Sequence, residues 1–280
     1  DEVTRASAAV AMTISIADDL SRGVEYNYLP FEVITLGGDD MSFVAAGTIA
    51  LGFIQCIMDL IDSEFAVAPI DQVGEEGGLE PVTFSFGMVA CDSRAPIRVV
   101  TDWAESNAMK HAKLHGRNGE QARSASRVSF IVADSVDNLP SDWDELESSL
   151  TRTVGHELTV KSVMMPLDSD QLQFMLWMAA ALRLFQGNVE GLAAAFHCSP
   201  PHAANLHYLY QRGRAKGTDR SKVFELVESR HSDDYEGWEV LFPGRIFPWD
   251  AQDSGEEYEP FTELLQLMKV MNVQKGGGDV

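Results

Sequence analysis

Two short apolar runs, Phe31 to Leu36 and Met41 to Ala46, flank Gly37-Gly38-Asp39-Asp40, and this feature constrains the chain more than any other. Both runs are rich in β-branched and aromatic residues, so each reads as a strand. Glycine pairs supply the backbone freedom a tight reversal needs, so the whole reads as a β-hairpin. Ahead of it, residues 3–22 read as a helix rich in Ala and Ile, and behind it Thr48 to Phe65 reads as an apolar helix. A polar, Gly-rich loop, Asp71 to Glu80, leads to a third strand, Val82 to Cys91. Ala95-Pro96 opens a helix running to about Leu114, because proline suits a first helical turn and Gly116 suits the end. Arg127 to Ala133 reads as a fourth strand.

After Pro140 the pattern changes. Trp143 to Thr153, Asp168 to Phe196, Pro201 to Arg212 and Ser221 to Ser229 read as helices. The tail from Asp250 is acidic, turns amphipathic from Phe261 to Val273, and ends in a glycine run expected to be disordered. These readings divide the chain into an α/β part, residues 1–150, and an α-helical part, residues 151–280. The start of the chain reads as an internal boundary, and no internal repeat is evident.

The chain has 280 residues and a 45% apolar fraction, which predicts a sizeable core. Cys56, Cys91 and Cys198 are widely spaced and form no CxxC pair, which predicts neither a disulfide framework nor a thiolate zinc site and fits a cytoplasmic protein. The nearest candidate for a membrane span, Phe174 to Phe185, contains Arg183 and is too short for a bilayer, so no membrane partner is expected. With 43 acidic against 21 basic residues the net charge is −22, a field that repels a phosphate backbone. Broad nucleic-acid binding by this chain alone is therefore disfavoured. A nucleoside triphosphate remains possible where magnesium and a few local cations neutralise its phosphates.

The chemistry-bearing residues sit at two places. At the hairpin tip, Gly37 and Gly38 let backbone amides approach a ligand, and the adjacent carboxylates of Asp39 and Asp40 are hard oxygen donors of the kind that hold divalent cations. Glycine pairs are also common in turns that do nothing else. The second place is the stretch Ala104 to Asn118, where Lys113 and Arg117 lie four residues apart on one face near a helix end and can grip a triphosphate. A solvated basic face completing the helix dipole is the competing explanation.

Taken in order, "LGGDD", "FSFGMVACD" and an "AP" opening the helix "AESNAMKHAKLHGRN" resemble the palm shared by GGDEF-type diguanylate cyclases and the large cyclase subunit of type III CRISPR effector complexes. The turn reads GGDD rather than GGDEF, and "SRVSFIVADSVDNLPSDWDELESSL" looks like the last palm strand and the Trp-containing helix of the CRISPR subunit. The resemblance covers residues 27–150. It implies a GGDEF-like, ferredoxin-like palm of α/β (α+β) class, with an antiparallel sheet and helices, followed by an α-helical C-terminal domain. It implies Asp39 and Asp40 as catalytic ligands of two Mg²⁺ or Mn²⁺ ions, and Gly37, Gly38, Lys113 and Arg117 as the nucleotide-binding residues. It further implies cyclic oligoadenylate synthesis from ATP, as an antiviral signal made inside a ribonucleoprotein complex whose other subunits hold the guide and target RNA. Both families take a further metal-binding Asp from a strand preceding the helix at 3–22, and this chain begins after that point. Two alternatives stay open: another product such as cyclic di-GMP or an adenylate conjugate, and a degenerate palm that binds nucleotide as a structural subunit.

Other residues are read as structural. His197, Cys198, His202 and His207 are interrupted by Ser199-Pro200-Pro201 and lack an adjacent acid, which argues against zinc. Met175, Trp177 and Met178 read as core, while Trp238, Phe242, Phe247 and Trp249 read as a packed loop or partner surface.

Overall fold

The structure, a computed structural model, describes residues 2–21, 30–37, 40–66, 83–115, 125–154, 158–162, 164–198, 201–218, 221–228, 238–242, 245, 247 and 255–271. Among the described residues it is a mixed α/β protein of many helices and three small sheets. Its contacts divide into two compact units. One comprises Asp1–Ile131, Pro166–Ser169 and Val270–Val280; the other comprises Val132–Met165 and Asp170–Lys269. Among the described residues no helix is long and apolar enough to cross a membrane.

In the first unit, α1 (Glu2–Ser21) buries Ser7, Ala8, Ala11 and Ser15, a spacing that puts small side chains on one helical face. It packs against α2 (Gly47–Ala66), whose Ile49, Phe53, Ile57, Met58 and Ile61 are all buried. Between them in sequence stand β1 (Phe31–Gly37) and β2 (Asp40–Ala45), paired antiparallel from Phe31↔Ala45 to Gly37↔Asp40 with a bulge between Val33 and Thr35. Phe31 and Phe43 project from this hairpin onto Phe53 of α2, each edge-on with ring centroids 5.1 Å apart. Those edge-to-face contacts set which face of the hairpin the helix covers.

The remaining strands of this unit, β3 (Ser85–Ala90) and β4 (Arg127–Val132), form a separate two-stranded sheet. The single sheet expected from sequence is thus divided in two. Ser126 organises the entry to this pair. Its Oγ donates to Asp62 of α2 at 2.6 Å and accepts from the Phe84 amide at 3.1 Å, while its own amide donates to the same carboxylate. Beyond β4, Val128 exchanges backbone hydrogen bonds of 2.8 and 2.9 Å with Leu167, and Ser169 Oγ donates to Asp59 of α2. These bonds explain why residues 166–169 belong to this unit although the chain around them does not.

The predicted Pro96 helix is present but not uniform. It runs as α3 (Ile97–Trp103), a π-helical turn (Ala104–Met109) and α4 (Lys110–His115), with Pro96 in extended conformation as the N-cap. The buried Ala108 and Ala112 lie four residues apart, so a strip without bulky side chains faces inward.

The second unit departs from the all-helical expectation. The helix predicted over Trp143 to Thr153 stops early: α5 (Trp143–Leu150) is followed directly by β5 (Thr151–Val154). Asp142 caps α5 by accepting from the Glu145 amide at 2.8 Å, and Glu145 reaches back to the Ser141 amide and hydroxyl at 2.6 and 2.7 Å. The strand begins where Thr151, Thr153 and Val154 bring β-branched side chains that favour a pleated surface. β5 pairs antiparallel with β6 (Leu158–Lys161), and β6 pairs parallel with β7 (Gly255–Tyr258), nearly a hundred residues away in sequence. Period-based reading misses such a partner because four-residue strands carry almost no periodicity.

Around this sheet stand α6 (Ser169–Leu182), α7 (Gln186–Cys198), α8 (Pro201–Ala215), α9 (Ser221–Val227), α10 (Trp238–Leu241) and α11 (Phe261–Met271). Met175 and Met178 are buried in α6, as expected of core positions. Trp238, Phe242 and Phe247 are buried as well, and Trp238 meets Phe174 edge-on at 4.7 Å. This aromatic group is therefore core, while Trp249 lies outside the described residues. A second aromatic group joins Phe196 of α7, Tyr208 of α8 and Phe261 of α11.

Candidate active site

The hairpin sequence folds as its pattern requires, and this backbone carries the candidate catalytic residues. Gly37 ends β1 directly opposite Asp40, which begins β2, so the ladder closes at the two residues. Gly38 and Asp39 lie outside the described residues, as does the side chain of Asp40. Lys113 is described, on α4, and its side chain is exposed. Arg117 lies outside the described residues.

Two features hold the elements that carry these residues. Gly87, in the middle of β3, lies directly under the π-helical turn: a Cβ built there would stand 2.3 Å from the Ala104 carbonyl oxygen and 2.4 Å from the Met109 amide nitrogen. Glycine in a strand interior marks such a close backbone approach. At the far end of the helix, His111 Nδ1 and Ser129 Oγ of β4 lie 2.9 Å apart, a buried polar pair that fixes α4 on the sheet. Between Gly87 and this pair, the helix bearing Lys113 is pinned at both the π-helical turn and α4.

One hydrogen bond links the helix to the hairpin. Ser42 Oγ, two residues past Asp40, donates to Glu105 Oε1 at 3.5 Å. Glu105 belongs to the π-helical turn, a local widening of the helix that is common at functional sites. Sequence pattern singled out neither Ser42 nor Glu105, since an exposed acid and an exposed hydroxyl carry no spacing signal. The trace of the close helix-strand approach in the sequence is Gly87 itself, a glycine inside an apolar strand.

The donor set at the hairpin is chemically suited to a hard divalent cation, because adjacent aspartates offer only oxygen ligands. Of the histidines and cysteine weighed for zinc, the side chains of His197, Cys198 and His202 lie outside the described residues, and His207 pairs with Gln211 at 3.4 Å.

No protein-family model matches the chain, and no curated protein matches it.

Proposed function

We propose that this chain is a palm-type nucleotidyltransferase that joins nucleotides supplied as ATP, with cyclic oligoadenylate as the product. The observation that carries the proposal is the hairpin register: Gly37 pairs with Asp40 at the closing end of the ladder, so the Gly-Gly-Asp-Asp motif falls on a strand reversal, where paired carboxylates can face a ligand. Asp39 and Asp40 would hold Mg²⁺ or Mn²⁺, which supplies charge neutralisation and a more acidic attacking hydroxyl when bound. A ribose hydroxyl then attacks an α-phosphate, the bond to the bridging oxygen breaks, pyrophosphate leaves, and the hydroxyl proton passes to solvent. Gly37 and Gly38 let the nucleotide pass close to the backbone. Lys113 and Arg117 neutralise the triphosphate. The net charge of −22 suits a protein whose RNA is held by other subunits of an assembly.

The division into separate β1–β2 and β3–β4 sheets favours a second reading, in which the same residues bind nucleotide without turnover. Both readings require Lys113 and Arg117 to contact phosphate. Charge-assisted hydrogen bonds are each worth about 1.5–3 kcal/mol, so Lys113→Ala and Arg117→Ala should each weaken ATP binding about tenfold or more. The melting temperature of the Lys113 variant should barely move, because Lys113 is exposed and exposed cations contribute little to stability. Calorimetric titration of ATP into both variants checks this. Unchanged affinity in both would remove the phosphate-binding role.

A further inference from the structure

The second unit holds two wholly buried carboxylates that the proposed chemistry does not use. Glu259 and Glu263 are 0% and 1% exposed, one helical turn apart where β7 passes into α11. Glu259 accepts hydrogen bonds from the Thr262 amide at 3.2 Å and from the Thr262 hydroxyl, which caps the start of α11, and from Ser162. Its amide donates to the Lys161 carbonyl at 3.0 Å. Glu263 Oε1 accepts from the amides of Met164 and Met165 at 2.7 and 3.3 Å. The other oxygen, Oε2, is buried and has no hydrogen-bond partner among the described residues. Together the two acids clamp α11 onto the segment that leaves β6.

Ionising both acids would place two negative charges close together out of water. Arg245 is the cation that faces Glu263; its guanidinium lies 4.9 Å from the Tyr258 ring centroid and 5.1 Å from that of Phe242, with Nη1 3.4 Å from Met164 Sδ. From β6, Lys161 Nζ lies over the Tyr258 ring, 5.8 Å from its centroid. From α7 and α8 the neighbours of Phe261 are the rings of Phe196 and Tyr208, and the Tyr208 hydroxyl is engaged with Glu228 at 2.6 Å. At the far end of α11, Lys269 reaches Asp134 at 3.8 Å. The Arg245 guanidinium favours the ionised form of Glu263 and the neighbouring Glu259 opposes it, so the two buried carboxylates resist ionising together.

We propose that Glu259 and Glu263 form a proton-operated latch: the pair retains a proton while α11 is docked on residues 161–165, and loss of that proton loosens this contact. The electrostatics agree with the geometry. Burial pushes Glu263 up to about 8 and Glu259 up to about 7, with the hydrogen bonds to each carboxylate opposing the rise but not offsetting it. Because both folded values lie above the ordinary glutamate value, the protonated clamp stabilises the unit fully below about pH 4.5, and that contribution is lost as pH rises through about 7 to 8.

Carbon-13 NMR of glutamate carboxyls in the full chain reads this directly. The wild type should show glutamate titration near pH 7 to 8, and this signal should disappear in at least one of Glu263→Gln, which keeps an oxygen for the Met164 and Met165 amides, and Glu259→Gln. Hydrogen exchange at those two amides, corrected for its intrinsic pH dependence, should accelerate about tenfold or more between about pH 6 and 9 in the wild type and not in a variant that lacks the signal. Should Glu263→Gln fail to fold, the wild-type titration and exchange still decide. The latch is overturned if every glutamate titrates near the ordinary value of about 4.3. It is equally overturned if the high signal survives in both Glu263→Gln and Glu259→Gln, or if amide protection at Met164 and Met165 stays flat with pH.

Discussion

Phe53→Ala is expected to destabilise the first unit by about 3–5 kcal/mol, the usual loss when a buried phenylalanine is truncated. Phe53 is 3% exposed and receives the edges of both Phe31 and Phe43, one from each strand of the hairpin. Truncation leaves a cavity and at the same time removes the surface on which the hairpin is seated. Domains are stable by only about 5–15 kcal/mol, so a loss of this size is a large share of the total. Phe53→Leu should cost far less. It keeps apolar volume and forgoes mainly the aromatic geometry, worth about 0.5–1.5 kcal/mol per ring pair. Urea unfolding of both variants, followed by amide exchange in β1 and β2, checks the ranking. A Phe53→Ala loss below about 1 kcal/mol would mean that the hairpin is held by something other than α2.

Gly87→Ala should also be costly, for the opposite reason. The added methyl meets backbone atoms at 2.3 and 2.4 Å, and backbone, unlike the end of a flexible side chain, cannot rotate away. The π-helical turn must therefore lift from β3. Overpacking of this kind costs about 1–3 kcal/mol and sometimes more, although alanine is ordinarily a better residue than glycine in a strand. Displacement of residues 104–109 also carries Glu105 away from Ser42, so the variant should perturb the hairpin as well as the helix. Thermal unfolding measures the first effect, and amide chemical shifts at Met41 to Phe43 measure the second. A melting temperature at or above that of the wild type would contradict the close packing.

The two predictions concern the parts of the fold that sequence pattern reads best and worst. The hairpin was legible because three local signals agree there: β-branched runs, a glycine pair and adjacent apolar helices. Pro96 marked a helix start for an equally local reason, its missing amide and fixed φ. The π-helical turn was not legible, because the contact that accompanies it, Gly87 against Ala104 and Met109, joins residues far apart in sequence. The β5–β6–β7 sheet escaped for the same reason. Its strands are four residues long, and the parallel β6–β7 pairing depends on residues 158–161 meeting 255–258. Glu259 lies in the stretch that reads as an acidic tail and Glu263 in the amphipathic stretch that follows it, and neither pattern marks a buried acid. The burial of Glu263 follows from Phe261, Leu264, Leu267 and Met268, whose helical spacing draws the acid among them into the core, while Glu259 is held just ahead of α11 by its bonds to Thr262.

At the candidate site, the hairpin that bears the motif was legible, since Gly37 pairs with Asp40 as the strand pattern requires. Adjacent aspartates after paired glycines are the residue types a cation site would use, and glycine pairs also serve turns with no ligand. The link between this turn and the Lys113 helix runs through Ser42 and Glu105, side chains with no signature in spacing or composition.

The central claim, that Asp39 and Asp40 hold the metal for nucleotide joining, is tested most directly by product formation from labelled ATP in the intact protein with Mg²⁺ or Mn²⁺. The account predicts that the wild type releases pyrophosphate and forms oligoadenylate. The Asp39→Ala/Asp40→Ala variant should keep its melting temperature and lose product by about a hundredfold or more, the scale of losing a principal source of transition-state charge stabilisation. Undiminished oligoadenylate synthesis by the double variant would contradict it.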